Sequence, residues 1–157
     1  MTFEELDDKL PNGLHDAQVH TVAIDYEART ASLDMSFWVG DLDGPNREEY
    51  RRGTVKAVGL YFCLIDPPDP TYPFLKEGVP LTVSGDSAKS ETCPILDKLR
   101  PIFAVGTSCY RFFVHDWNSF IHIAARDVQL AWANRIGGVD ARNSGDTLAR
   151  SGGVTSS

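Results

Sequence analysis

The chain predicts a mainly β domain of antiparallel strands, and three observations lead there. Apolar and polar residues alternate with period two over several stretches, most clearly over residues 30–39. Short links rich in Gly, Pro, Asn and Asp separate these stretches. Strands also follow strands without intervening long amphipathic helices, which disfavours a βαβ arrangement. The expected architecture is an antiparallel β-sandwich or a strongly curved sheet that packs on itself. A short N-terminal helix and at most one further short helix complete it.

The N-terminal helix is read over Thr2 to Leu10. Thr2 is a capping residue, Glu5 stands three positions on as in a capping box, and Pro11-Asn12-Gly13 stops the helix. From Gln18 the period becomes two. His20, Val22, Ile24 and Tyr26 fall on one face; Val19, Thr21, Ala23 and Asp25 fall on the other. After the turn Glu27-Ala28-Arg29, Ala31, Leu33, Met35, Phe37 and Val39 oppose Thr30, Ser32, Asp34, Ser36 and Trp38. Such alternation marks a sheet with one buried and one wetter face.

Residues 40–49 form a polar loop. A long strand then runs from Tyr50 to Ile65. It alternates through Val55 and Ala57 and becomes apolar on both faces from Val58, with Gly59 marking a bulge or corner. Asp66-Pro67-Pro68-Asp69-Pro70 cannot join a ladder and reads as a rigid connection. Leu81 to Ser84 is a short strand. Pro94 opens a short helix that Pro101 ends. Two strong strands follow, Phe103 to His115 and Phe120 to Trp132, joined by a turn over residues 116–119. The β-rich domain therefore spans residues 1–136. Residues 137–157, with five Gly and four Ser, read as a flexible tail.

The 157 residues fit one domain, and 42% hydrophobic and 24% charged residues are ordinary globular usage. A net charge of -7 lacks the basic footprint of a general nucleic-acid binder and disfavours anionic lipid. The acidic N-terminus has no apolar core of a signal peptide. No stretch approaches the roughly 18 apolar residues of a membrane span. Three cysteines at wide spacing, with no CxxC pair, suit a reducing compartment. Cys63 and Cys109 read as small core residues. The expected location is the cytoplasm.

Chemistry-bearing residues are sparse. His15-Asp16 and His115-Asp116 repeat a dipeptide found in HD metallohydrolases, but those build their site on helices and this chain is β at both places. His15, Asp16 and His20 form a candidate polar cluster. Its bland alternative has Asp16 capping the turn into the first strand and His15 bonding a nearby carbonyl. No metal set, cofactor motif, nucleophile elbow or acid–base carboxylate pair is legible. Ser84 offers a hydroxyl without the strand-turn-helix context that activates one.

The last hairpin is more informative. With His115 opposite Phe120, Tyr110, Phe112 and Val114 share an apolar face with Ile121, Ile123 and Ala125. The opposite face carries Arg111, Phe113, His115, Phe120 and His122, a mixture typical of a binding hot spot unless a second layer, such as the N-terminal helix, covers it.

The run Leu10-Pro11-Asn12-Gly13-Leu14-His15-Asp16-Ala17, followed by a strand ending Ile24-Asp25-Tyr26, resembles the opening of a group of small uncharacterised bacterial β-domain proteins. Some are immunity proteins of polymorphic toxin systems. The resemblance covers about the first 40 residues and implies a small bacterial cytoplasmic protein that binds and blocks a partner, with no catalytic residue to carry over. The acidity suits a basic protein partner, because charge complementarity speeds encounter. Two other readings remain open at this stage. One is a small-molecule-binding domain or hydrolase with a histidine-lined pocket. The other is an assembly protein that joins through an exposed sheet edge.

Overall fold

The computed structural model describes residues 1–72, 77–87 and 98–134. The proposed helix opening at Pro94 and the tail over residues 137–157 lie outside the described residues. The fold is mainly antiparallel β with a short N-terminal helix, α1 (Phe3–Lys9). Thr2 caps α1: its hydroxyl accepts from Glu5 N at 3.1 Å, and the Glu5 carboxylate accepts from Thr2 N at 2.9 Å.

The strands are β1 (Ala17–Asp25), β2 (Thr30–Trp38), β3 (Tyr50–Val58), β4 (Phe62–Ile65), β5 (Leu81–Ser87), β6 (Ser108–Val114), β7 (Ser119–Ala125) and β8 (Asp127–Trp132). They form one sheet in the order β4-β7-β6-β5-β1-β2-β3-β8. β3 runs into β4 through Gly59, and β7 runs into β8 through Arg126. The two ends of that order are thus halves of the same two bent strands. β3 pairs with β8 and β4 with β7, all antiparallel. Tyr61 N to Ala124 O and Arg126 N to Val58 O carry the ladder across the bend. Among the described residues the sheet therefore rolls round and closes on itself as six long strands. Of the two architectures the sequence allows, this is the strongly curved sheet.

Three expected strands differ in extent. The corner foreseen at Gly59 is real: its φ is +66°, and a Cβ there would come within 2.7 Å of the Arg126 side chain. It splits the strand expected over 50–65 into β3 and β4. The strand expected from Phe120 to Trp132 breaks at Arg126 for the same reason, because it must follow its partner round the corner. The strand expected from Phe103 begins only at Ser108, since Arg100–Ile102 is a 3-10 turn with Pro101 inside it and Thr107 N bonds Ala104 O. β5 runs three residues beyond Ser84.

β1 carries a bulge between Val19 and Thr21. The extra residue, His20, resets the alternation, so Val19 before it and Val22 and Ile24 after it all pack on the core. An unbroken period had put Val19 on the other face. The core holds Leu33, Met35, Phe37, Val55, Phe112, Ile121 and Ile123, all buried. α1 closes the barrel beside the start of β6: Phe3 stacks on Tyr110 at 5.0 Å and meets Phe112 edge-on at 5.6 Å. Cys63 is half-buried against this core, and burial pushes its thiol pKa up to about 11. Cys109 is not a core residue, because in β6 Ser108, Tyr110, Phe112 and Val114 take the buried positions.

Candidate functional site on the outer face of the last hairpin

β6 and β7 pair with Phe113 opposite Phe120 and Val114 opposite Ser119. The register is displaced by two from the expected one, because the chain turns a step earlier, through residues 115–118, with Asn118 at φ +47°. A two-residue displacement leaves every side chain on its expected face. Tyr110, Phe112 and Val114 accordingly look inward with Ile121, Ile123 and Ala125, and all are buried.

The outer face brings together all five candidate surface residues. Phe113 and Phe120 lie 5.3 Å apart, the Arg111 guanidinium lies 4.4 Å over Phe120, and His115 meets Phe113 edge-on at 5.1 Å. α1 does not cover them, since it packs against the inner residues Tyr110 and Phe112. Phe113 and Phe120 are half-buried, whereas His122 is buried and its Nε2 lies 2.9 Å from Asp66 Oδ2. His122 therefore ties the proline segment to β7, helped by Asp66 N donating to Phe120 O at 2.9 Å. It is the least accessible of the five.

The candidate polar cluster divides. His15 Nδ1 is 3.1 Å from Ser84 Oγ, and His115 Nε2 is 2.7 Å from the same oxygen. Two histidines 100 residues apart in sequence thus share one hydroxyl. His15 Nε2 lies 3.5 Å from Asp16 Oδ2, beyond a good hydrogen bond. His20 stands apart on the bulge, 2.8 Å from Ser36 Oγ. Asp16 adopts φ +53°, a left-handed conformation that Asp tolerates. It does not cap the turn. Asp7 does, accepting from Leu14 N at 2.5 Å, while His15 bonds a hydroxyl and not a carbonyl. Asp116 accepts from Thr82 N at 2.7 Å and braces the turn against β5.

This arrangement offers a hydroxyl between two imidazoles, a row of aromatic rings and a guanidinium on one contiguous face. Ser84 sits mid-strand, within the stretch of residues 83–87 that pairs with β6. Among the described residues no group of three or more His, Cys, Asp or Glu side chains is placed to hold a metal ion. No described helix is long and apolar enough to cross a membrane.

Sequence reasoning gave Ser84 no partners, because its convergence with His15 and His115 depends on β5 lying between the β1 lead-in and β6. It also missed Trp38 and Tyr50. They are cross-strand partners at the end of the β2–β3 hairpin, and the polar loop between two alternating strands is the signal that pairs them.

No family model matches this chain, and no curated protein matches it. Among solved structures it is similar to the crystal structure of an uncharacterized protein from Neisseria gonorrhoeae, at 10% identity and a TM-score of 0.38. That match covers 74% of this chain and 90% of the other.

Proposed function

We propose that the chain is a non-enzymatic, immunity-like binding domain that recognises a basic partner protein through the outer face of β5–β7. The observation that carries this reading is the half-buried Phe113–Phe120 pair with Arg111 laid over it, on the side of the sheet away from α1. Aromatic rings supply large contact area with little entropy to lose, and arginine adds a planar, multi-donor head, which is why both anchor interfaces. The net charge of -7 supports a basic partner through steering. Assembly through an open sheet edge finds less support, because each of the six long strands has a partner on both sides over part of its length.

The test is capture of a partner from the source cell on immobilised wild-type chain, followed by titration of the purified partner. The expected result is 1:1 binding that Phe113→Ala with Phe120→Ala weakens at least tenfold, or by about 1.4 kcal/mol. Binding unchanged in that double variant would remove the face from the reading.

One observation favours a second reading. Ser84 Oγ, bonded by His115 and His15, has the partners of a nucleophile in acyl transfer. Labelling of Ser84 by a fluorophosphonate, lost in His115→Ala, would support it; an unlabelled chain would leave binding alone.

A further inference from the structure

At the end of the β2–β3 hairpin lies a recess of about 340 Å³ lined by Asp16, Trp38, Leu42, Arg47, Glu48 and Tyr50. The fold builds it deliberately at one hairpin end. Trp38 and Tyr50 face each other across β2 and β3, and Val39 N bonds Glu49 O at 2.8 Å to close the loop. Asn12 Nδ2 donates to Trp38 O and to Gly40 O, tying the loop to the chain that leads into β1. The loop folds back so tightly that a Cβ on Gly40 would lie 2.4 Å from Arg47 O. Trp38 Nε1 donates to that same carbonyl at 2.7 Å, which fixes the indole.

The recess combines two aromatic rings with two carboxylates. Burial, and then the charges of Asp16 and Glu48, push the Tyr50 hydroxyl pKa above its usual value, so both carboxylates act on the site. Arg47, an exposed residue, offsets one of them and leaves one net negative charge among the lining residues. Aromatic walls with a negative charge attract a cation. A planar guanidinium both stacks on rings and forks onto carboxylates, which an ammonium does less well. Asp16, which lines the recess, directly follows His15, whose Nδ1 lies 3.1 Å from Ser84 Oγ.

We propose that the recess formed by Trp38, Tyr50, Asp16 and Glu48 seats an arginine side chain of the basic partner. This rests on the binding reading above and adds where the partner's positive charge goes. The hairpin face itself carries Arg111 and cannot supply that complement.

The test is an NMR titration of the full chain with Nα-acetyl-arginine amide, following the Trp38 indole N–H and the Tyr50 ring. Nα-acetyl-citrulline amide, which keeps the shape and lacks the charge, is the control. Saturable shifts at both residues are expected with arginine, and the citrulline analogue should bind at least about fivefold more weakly. Asp16→Asn with Glu48→Gln should weaken the arginine analogue about fivefold, and asparagine keeps position 16 comfortable at positive φ. Absent shifts, or equal binding in that double variant, would overturn the proposal. The purified partner separates this inference from the parent reading. Affinity lost in Phe113→Ala with Phe120→Ala but kept in Asp16→Asn with Glu48→Gln retains the hairpin face and rejects the recess. The converse pattern rejects the hairpin face.

Discussion

On β6, Tyr110, Phe112 and Val114 enter the barrel, while Arg111 and Phe113 stand on its outer surface. The two sets alternate residue by residue and each carries a phenylalanine, so residue type does not distinguish Phe112 from Phe113. Surroundings do. Phe112 is fully buried and meets both Phe3 and Tyr110. Phe113 touches Phe120 and His115 on the half-buried outer face. The inner set holds the fold together, and the outer set is the one the proposed binding face would use.

The sharpest way to break this contrast is to truncate the inner ring. Phe112→Ala should cost about 3–5 kcal/mol, read by urea unfolding, because it removes buried area and leaves a cavity. A loss under about 1 kcal/mol would mean that the inner face is not the core. Next is the corner that lets the sheet close. Gly59→Ala should cost about 1–3 kcal/mol, since alanine must hold φ +66° and its Cβ meets the Arg126 side chain. Unchanged stability would show that the bend is looser than drawn.

The smallest expected effect lies on the outer surface of β2 and β3. Arg52 donates to both oxygens of Asp34, at 3.0 and 2.6 Å, and this hydrogen bonding holds the Asp34 carboxyl below its usual pKa. The Asp34 side chain is about one-third exposed and Arg52 more so, so solvent screening keeps the contribution of the pair small. A lowered native pKa stabilises above the unfolded value, near 4, and the benefit is lost as pH falls through the native value. Arg52→Ala should therefore match wild type near pH 2 and be slightly less stable than it at pH 7, a gap that opens as pH rises. An equal gap at both pH values would exclude the ion pair as its source.

How far the sequence revealed this structure follows from which contacts are local. The capping box of α1, the alternation of β2 and the inner face of β6 depend on neighbours within a few residues, and each is present as read. The break at Arg126 was not legible. Nothing local marks it, and it follows from pairing with the Gly59 corner 67 positions away. The bulge at His20 is similar, being set by registration of β1 against β2. For the candidate site, alternation alone grouped Arg111, Phe113, His115, Phe120 and His122. It did not show that Asp66 holds His122 inside, or that Ser84 would draw His15 to His115.

The claim that β6 and β7 present a surface is tested most directly by the unfolding free energy of Phe113→Ala with Phe120→Ala. A loss of no more than about 2 kcal/mol, with the denaturant slope unchanged, is the expected result for two half-buried rings on the outer face. A loss of about 5 kcal/mol or more would make both rings core residues and leave the proposed binding face without its anchors.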